Sequence, residues 1–279
     1  MKQKYFACMI LVMAPMFTAT AAFAQETTPQ RYAQALYLHV APDKAAQFVE
    51  WHKTGNGMKA AKARMKADPN ITGISVRSVA FANPTPRANY AMVTLRTGIA
   101  GAPDTAKRDA EYLAATGMNY AGYLTQSRTM SEVVGQTMSH LHDSTPDLQL
   151  SAGDVIVSRR MKTAEGKNTE LADLNRKIRL SLMTENVKEG RLKGWAFGHL
   201  VLAGGTSLPW DATDTRVYKD LASAVGGPGG GGGGNANAAM ALFVKMFPNL
   251  SYAKYQEDGR DLAKLVRTDT HFVVVSHRP

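Results

Sequence analysis

The sequence is nearly free of cysteine: Cys8 is the only one among 279 residues. It lies inside an N-terminal apolar segment that we expect to be removed during export, so the mature chain would carry no thiol. Disulfide bonds, thiol nucleophiles and cysteine-ligated metals are therefore excluded from the mature protein. Exported domains without disulfides need a sizeable hydrophobic core, and the roughly 255 residues after the segment are enough for one large or two modest cores.

Long apolar runs are also missing after this segment, since no later stretch approaches the roughly 18 apolar residues of a membrane-spanning helix. The segment itself begins with Lys2 and Lys4, continues with an apolar run over residues 5–17 and ends in Ala22-Phe23-Ala24, a small-x-small site for signal peptidase. We predict a cleavable signal peptide over residues 1–24, with an uncleaved anchor as the alternative. The mature protein is then exported to the periplasm or the extracellular space, with no transmembrane segment.

Clustered charge and recognised catalytic motifs are lacking as well. The formal net charge is +10, but Lys and Arg are spread along the chain without a run of five, and no nucleic-acid-binding motif is present. We expect a solvated basic surface and no nucleic-acid partner. There is no Ser-His-Asp order, nucleophile elbow, HExxH or dinucleotide fingerprint. His140 and His142 have a spacing that suits a metal ion on a strand, but no third ligand is placed beside them, so no metal site is predicted.

The patterns that are present occur twice. Polar residues 25–34 predict a disordered lead-in, and from residue 35 strand-like alternation and helix-like periodicity follow one another. In the first half we predict strands at residues 35–40, 73–81 and 90–96, and helices at 45–65, 104–116 and 120–134. In the second half we predict strands at 154–161, 192–202, 213–219 and 271–276, and helices at 171–182, 239–247 and 252–266.

Two segments near the ends of these halves match each other directly. Residues 119–134 align with residues 251–266 at a constant offset of 132, with five identities in sixteen positions. Earlier in each half the offset is smaller, and an insertion at the glycine-rich residues 226–235 accounts for the change. We therefore predict an α+β fold of two tandem ferredoxin-like β-α-β-β-α-β units with antiparallel sheets, spanning residues 35–148 and 149–279. The glycine-rich loop lacks the Lys-Ser/Thr of a phosphate loop and is predicted to be a mobile surface loop.

A ferredoxin-like unit of this size, with a wide sheet face, resembles the dimeric α/β-barrel superfamily. A more local similarity to exported bacterial proteins of uncharacterised function in that superfamily lies in Arg191-Leu192-Lys193-Gly194-Trp195, Gly204-Gly205-Thr206 and the segment from Arg216 to Leu221. The resemblance implies that the two units pair their sheets around a central cavity. The superfamily includes monooxygenases, haem-handling enzymes, isomerases and proteins without known activity, and the fold alone does not select among them.

Strand alternation nominates the residues that would face this cavity. On the first strand Leu36, Leu38 and Val40 form the more apolar face, which we expect to pack on the helices. On the second strand of the second half we assign the larger side chains to the cavity and the small ones, Ala196 and Gly198 among them, to the helices. The candidate ligand-binding residues are therefore Tyr37, His39, Arg77, Trp195, Phe197 and His199.

From these residues we predict an exported envelope protein that binds a small aromatic or anionic molecule between its two halves. The first alternative is a monooxygenase-like or haem-handling enzyme in which His39 or His199 acts as a base or haem ligand, or Tyr37 takes part. The second alternative is a protein-interaction module, for which the cavity would be plugged by side chains. Catalysis, cofactor, ligand identity and oligomeric state are not determined by the sequence, and the faces of Arg77 and His271 stay open.

Overall fold

The computed structural model describes residues 30–81, 87–99, 104–146, 148–204, 208–226 and 236–279. The predicted signal peptide, residues 25–29 of the predicted lead-in and residues 227–235 of the glycine-rich loop lie outside these ranges. Within them, no helix has the length and apolar character needed to cross a membrane.

Strands and helices follow each other in the expected order, except that no strand was predicted over residues 132–144 and no helix over residues 221–226. The strands are β1 (Arg31–His39), β2 (Ile71–Phe81), β3 (Tyr90–Thr97), β4 (Glu132–Ser144), β5 (Val155–Thr163), β6 (Gly194–Gly204), β7 (Ala212–Tyr218) and β8 (Ala263–His277). The helices are α1 (Ala45–Lys53), α2 (Asn56–Ala67), α3 (Thr105–Thr116), α4 (Tyr120–Arg128), α5 (Asn168–Leu174), α6 (Leu180–Lys188), α7 (Leu221–Gly226), α8 (Ala236–Met246) and α9 (Tyr252–Leu262). A π-helical turn, Asn175–Arg179, joins α5 to α6.

The eight strands form one closed antiparallel barrel in the order β1-β3-β2-β8-β5-β7-β6-β4, so the fold is α+β. Within the first half the order across the sheet is β4-β1-β3-β2, and within the second half it is β8-β5-β7-β6. Two seams join the halves, because β2 pairs with β8 and β4 pairs with β6. Since the sheet closes on itself, no strand of the described barrel is left with an unpaired edge.

Three boundaries differ from those predicted. β1 begins at Arg31, so residues 31–34 belong to the strand, where they pair with both β3 and β4, and not to a disordered lead-in. The helices predicted to reach residues 134 and 266 end at Arg128 and Leu262, and β4 and β8 follow shortly after. The apolar stripe of these segments fits either structure, and the pairing that closes the barrel favours the strand.

The repeated segments start their helices with the same device. The side chains of Asn119 and Ser251 each accept a hydrogen bond from the backbone N–H three residues later, at 2.9 Å and 3.3 Å. These N-caps satisfy a backbone donor that would otherwise be free at the start of α4 and α9. Both helices then place a tyrosine, Tyr123 or Tyr255, in the core beneath them.

Large apolar side chains lie on the outer face of the barrel, beneath the helices. In the first half the buried cluster contains Leu38, Val40, Phe48, Trp51, Val76, Tyr112 and Tyr123. The corresponding cluster of the second half contains Val155, Val157, Trp195, Phe197, Tyr218, Phe243 and Tyr255. Burying one such side chain stabilises the fold by about 1.5–3 kcal/mol, so this layer holds the helices on the barrel.

The β4–β6 seam requires a glycine at position 198. A Cβ atom added to Gly198 would overlap the carbonyl oxygen of His140 on the neighbouring strand, whereas a Cβ on Gly259, inside α9, meets nothing within 4 Å. We expect Gly198→Ala to lower the free energy of unfolding by about 1–3 kcal/mol through overpacking. The matched Gly259→Ala variant should raise it by about 0.5–1 kcal/mol, because alanine is the better helix former. Urea unfolding of both variants measures the difference, and equal effects would show that the seam tolerates a side chain.

Candidate functional site

The barrel encloses a cavity of about 70 Å³, which we call the lumen, and all eight strands contribute to it. Its lining is dominated by small and hydroxyl-bearing side chains from both halves of the chain. The lining residues are Ala33, Ala35, Tyr37, Arg77, Ala91, Val93, Thr137, Ser139, Leu141, Ser158, Arg160, Ala196, Gly198, Thr213, Thr215 and His271. A cavity of this size holds only a few non-hydrogen atoms, far fewer than the pockets of drug-sized ligands, which span about 300–1,000 Å³.

The structure brings two of the six predicted site residues together in the lumen. Tyr37 and Arg77 both line it, and the Tyr37 hydroxyl lies 3.5 Å from the hydroxyl of Thr137. His271, whose face the sequence left open, also lines the lumen. On β1 the opposite face packs on the helices through Leu38 and Val40, as expected from its greater apolar character.

Trp195 and Phe197 lie on the other side of the barrel wall from the lumen, which corrects their predicted orientation. Both are fully buried among the helices of the second half, and the small residues Ala196 and Gly198 line the lumen instead. The physical reason is space, because an eight-stranded barrel has an interior only just wide enough for side chains. The bulkier face of β6 lies under the helices, as the bulkier face of β1 does, and the predicted assignment of β6 was the reverse.

His39 and His199 also lie outside the lumen. His39 sits at the end of β1, where its Nδ1 donates a hydrogen bond to the carbonyl of Arg87 at 2.8 Å. His199 lies on the outer face of β6, with its ring 4.9 Å from that of His142, which in turn lies 4.5 Å from the ring of His140. Burial, followed by the neighbouring His199, lowers the pKa of His142 to about 4. Among the described residues no set of three His, Cys, Asp or Glu side chains is arranged to hold a metal ion.

Charged residues that the sequence reasoning missed lie around the lumen. Arg160 donates from Nε to Asp269 at 2.9 Å and from a terminal nitrogen to Thr213 at 2.9 Å. Asp269 is fully buried, and its other oxygen lies 3.2 Å from Nε of Arg267. Alternation along β5 places Arg160 opposite the helix-facing valines and could have revealed it. Asp269 was out of reach, because neither a helix nor a strand was predicted for the segment that carries it.

A larger cavity, of about 260 Å³, lies between the outer face of the first half's sheet and helices α1 to α4. We call it the helix-side pocket. Its wall is mainly aliphatic and aromatic, with two arginines and one histidine among the described lining residues. The residues that matter most for its chemistry are Phe48, His52, Arg64, Tyr112, Tyr120, Tyr123 and Arg128.

His52 forms a buried, uncharged edge of the helix-side pocket. Its ring is 4.7 Å from Phe48 and 4.9 Å from Trp51, in edge-on contacts. Burial, with a smaller contribution from His277, lowers the pKa of His52 to about 4, so the ring is neutral at pH 7. A Cβ on Gly57 would come within 2.8 Å of the His52 Nδ1, which explains the glycine in the first turn of α2 at this contact.

Three tyrosines and two arginines complete the helix-side pocket. Tyr112 packs edge-on against Tyr120 and Tyr123, with ring centroids 5.1 Å apart in each pair. Burial raises the pKa of Tyr112 to about 12, and the nearby Arg64 opposes this rise. Arg64 is half-buried and Arg128 is exposed, and no carboxylate of the described chain lies within ion-pair distance of either. The pocket therefore combines an aromatic wall with uncompensated positive charge.

A buried charged network lies in the corresponding layer of the second half. Trp195 donates from its indole nitrogen to Asp214 at 3.1 Å, and Arg179 donates to the other oxygen of that carboxylate at 2.8 Å. Burial alone would raise the pKa of Asp214, but Arg216, Arg179 and Arg159 together hold it at about 2. A charged network and two large aromatic residues thus occupy the layer that remains open in the first half.

Comparison with solved structures identifies the fold. A protein from Lactobacillus acidophilus NCFM that is provisionally named a monooxygenase is similar, with a TM-score of 0.50 and 11% sequence identity over 90% of this chain and 96% of that one. The two chains share a fold, and the closed antiparallel barrel described above is what the resemblance to the dimeric α/β-barrel superfamily implied. An anthrone oxidase-like protein has a TM-score of 0.46 at 7% identity, covering 90% of this chain and 94% of its own. A haem-binding protein from Thermus thermophilus has a TM-score of 0.40 at 11% identity, covering 88% of this chain and 92% of its own.

The sequence itself gives no closer assignment. No protein-family model and no curated protein matches the chain. Because the structural likeness comes at 11% identity, it establishes the fold and leaves the chemistry to the cavities described above.

The buried His52 should make the stability of the protein pH-dependent. Its folded pKa of about 4 lies below the ordinary value of 6.5, so the unfolded chain binds the extra proton and stability falls as the pH drops from about 6.5 towards 4. We expect His52→Gln to remove on the order of 2–3 kcal/mol of this loss, measured as the free energy of unfolding between pH 7 and pH 4. Val76→Ala, which loses packing in the same cluster but no titrating group, should keep the wild-type slope. A His52→Gln slope equal to that of the wild type would contradict the assignment.

Proposed function

We propose that the chain binds a small aromatic anion, of one or two rings, in the helix-side pocket of its first half. The observation that supports this best is the combination in one cavity of three packed tyrosines with Arg64 and Arg128, neither of which has a carboxylate within ion-pair distance in the described chain. Aromatic side chains that line a pocket bind a ring by burying its apolar surface and by edge-to-face contacts. Guanidinium groups bind carboxylates or phenolates through charge-assisted hydrogen bonds. The volume of 260 Å³ lies just below the range for drug-sized ligands, which favours a compact molecule.

This proposal moves the ligand from the place that the sequence suggested. A site between the two halves would be the lumen, and 70 Å³ is too small for an aromatic ring with its substituents. The shared strand order of the halves, β4-β1-β3-β2 and β8-β5-β7-β6, supports our inference that they are tandem ferredoxin-like units. One unit then keeps an open pocket, while the other has filled it.

Haem does not fit either cavity. Haem is larger than most drug-sized ligands, and both cavities lie below the volume range of about 300–1,000 Å³ for such ligands. The histidine of the helix-side pocket, His52, packs against two aromatic rings. Its ring centroid lies 4.7 Å from that of Phe48 and 4.9 Å from that of Trp51. The residues present therefore do not form a haem site, and we derive no haem chemistry for this chain.

A monooxygenase acting on a bound phenol is the second candidate function, and His52 is the observation that favours it. The ring is neutral at pH 7 and lines the pocket, so it can accept a hydrogen bond from the hydroxyl of a phenol held there. That hydrogen bond makes the phenol more electron-rich and therefore easier to oxidise by O2. If this function is correct, His52→Gln abolishes oxygen uptake with a phenolic substrate while leaving the binding of benzoate intact.

Binding by the helix-side pocket can be measured with benzoate and its neutral isostere benzamide. We expect Arg64→Gln to weaken benzoate binding about 10-fold or more, because a charge-assisted hydrogen bond contributes about 1.5–3 kcal/mol, and to leave benzamide nearly unchanged. Arg128→Gln should have a smaller effect, since Arg128 is exposed. Arg260→Gln, at the repeat-equivalent position of α9, is the matched control. Isothermal titration calorimetry that showed no benzoate binding at about 10 mM, the weak end of affinities for so small a ligand, or equal losses in all three variants, would refute the proposal.

Export is a separate proposal that depends on residues 1–24 alone. We propose that signal peptidase cleaves after Ala24, because Ala22 and Ala24 supply the small side chains at the cleavage site. Expression of the full chain in a Gram-negative host should yield a periplasmic protein whose N-terminal sequence starts at Gln25. Ala24→Arg should block processing and leave a product larger by about 24 residues. An intact N-terminus in the cytoplasmic fraction would rule the signal peptide out.

A further inference from the structure

Positive charge exceeds negative charge around the lumen. Arg160 and Arg267 share the single carboxylate of Asp269, at 2.9 Å and 3.2 Å. Arg77 has no carboxylate within 4 Å among the described residues, and its Nε donates to the Ser75 hydroxyl at 3.1 Å. None of the described residues that line the lumen is Asp or Glu. The lumen thus contains a guanidinium group that the described chain does not neutralise.

An unpaired cation that is largely removed from water is unfavourable, and Arg77 is partly buried. Burial, helped by Arg160 and opposed by Tyr37, lowers the pKa of Arg77 to about 10. Arg77 still carries its charge at pH 7. Proteins keep such a charge only when something pairs with it, since an isolated buried ion costs several kcal/mol.

His271 adds an unpaired polar atom to the same cavity. The residue is 3% exposed, and its Nδ1 has no hydrogen-bond partner within the described chain. Burial, followed by Arg77, Arg160 and Arg267, lowers the pKa of His271 to about 3, so the ring is neutral and can donate one N–H. A neutral imidazole can carry its N–H on either ring nitrogen, so His271 can offer one donor to an acceptor bound in the lumen.

Hydroxyl groups surround these two residues. Thr137, Ser139, Ser158, Thr213 and Thr215 all line the lumen, together with the phenol of Tyr37. Hydroxyls rotate to donate towards an oxygen acceptor, so they suit an oxyanion without fixing its identity. Arg160 is held rigidly beside them by its bonds to Asp269 and Thr213 and by the ring of Trp210, which lies 4.5 Å from the guanidinium carbon.

We propose that the lumen is a binding site for a small monovalent oxyanion of three or four non-hydrogen atoms, such as nitrate or formate. Arg77 supplies the unpaired charge, Arg160 adds to the positive potential, and the His271 N–H and the hydroxyls complete the set of donors. A planar guanidinium matches a planar oxyanion through two parallel hydrogen bonds. The volume of 70 Å³ admits such an ion and excludes benzoate, so this site is independent of the helix-side pocket.

The test is thermal unfolding at constant ionic strength with sodium gluconate as the background salt, because gluconate is too large for the lumen. Replacing gluconate with nitrate or with formate should raise Tm saturably, with an apparent Kd of about 0.1–10 mM for an ion of this size. Comparison of the two titrations shows whether a nitrogen oxyanion or a short carboxylate is preferred. A rise that does not saturate, or that chloride, nitrate and formate produce equally, would be a general salt effect and would overturn the proposal.

Variants separate the site from the fold and from the helix-side pocket. Arg77→Met should abolish the saturable rise without lowering Tm in gluconate, because it removes an unpaired charge and keeps much of the length of the side chain. Arg87→Met, on the exposed end of the barrel, should respond to nitrate as the wild type does. Benzoate binding should survive Arg77→Met, and nitrate binding should survive Arg64→Gln, so that each site can fail alone.

If Arg77→Met does not fold, Thr215→Val provides a second variant that removes one donor and keeps the charge. It should weaken nitrate binding several-fold. Labelling of histidine with ¹⁵N adds a direct readout, since the Nδ1 resonance of His271 should shift on addition of nitrate. An unchanged His271 resonance at saturating nitrate, or full nitrate affinity in both variants, would exclude the lumen as the site.

Discussion

Closure of the barrel through the β2–β8 and β4–β6 seams is the constraint on which the rest of the structure depends. Eight strands close around a narrow interior, so only small side chains fit along most of its wall. Large apolar residues are therefore forced to the outer face, and the helices must cover them. The same closure explains Gly198, whose missing side chain lets β6 approach the carbonyl of His140. One geometric requirement thus determines the contents of both layers.

The layer between the outer face of the barrel and the helices is packed differently in the two halves. In the second half Trp195 and Phe197 fill the space between sheet and helices, and Asp214 ties Trp195 to Arg179 in a buried network. In the first half the wall facing the helices is made of aliphatic side chains, and a cavity of 260 Å³ remains. A filled layer gives stability, whereas an open layer gives a place for a ligand at some cost in packing. The outer layer of the second half therefore stabilises the barrel, and that of the first half leaves the cavity to which our proposal assigns the ligand.

Much of the fold could be predicted from the sequence, because local patterns carry it. The order of strands and helices, apart from β4 and α7, and the helix-facing side of β1 followed from alternation and periodicity alone. The residues after Arg128 and Leu262 did not, since their apolar pattern fits a helix until the barrel pairs them as strands. The orientation of Trp195 was wrong because alternation gives two faces but not which of them is inside. Asp269 and the helix-side pocket depend on contacts between distant segments, which no local pattern contains.

The cavities also differ in what limits the ligand that each could hold. In the helix-side pocket the limit is volume, since its aliphatic and aromatic lining leaves about 260 Å³, with Arg64 and Arg128 among the lining residues. In the lumen the charge of the ligand is what matters. The two oxygens of Asp269 already pair with Arg160 and Arg267, so Asp269 does not pair with Arg77. A carboxylate side chain in the lumen would neutralise Arg77 but would also fill the cavity. The cavity therefore stays open only while its lining residues are small and Arg77 lacks a carboxylate partner. The small side chains that allow the barrel to close therefore leave space for an ion in the lumen. In our proposal the unpaired charge of Arg77 selects an anion for that space.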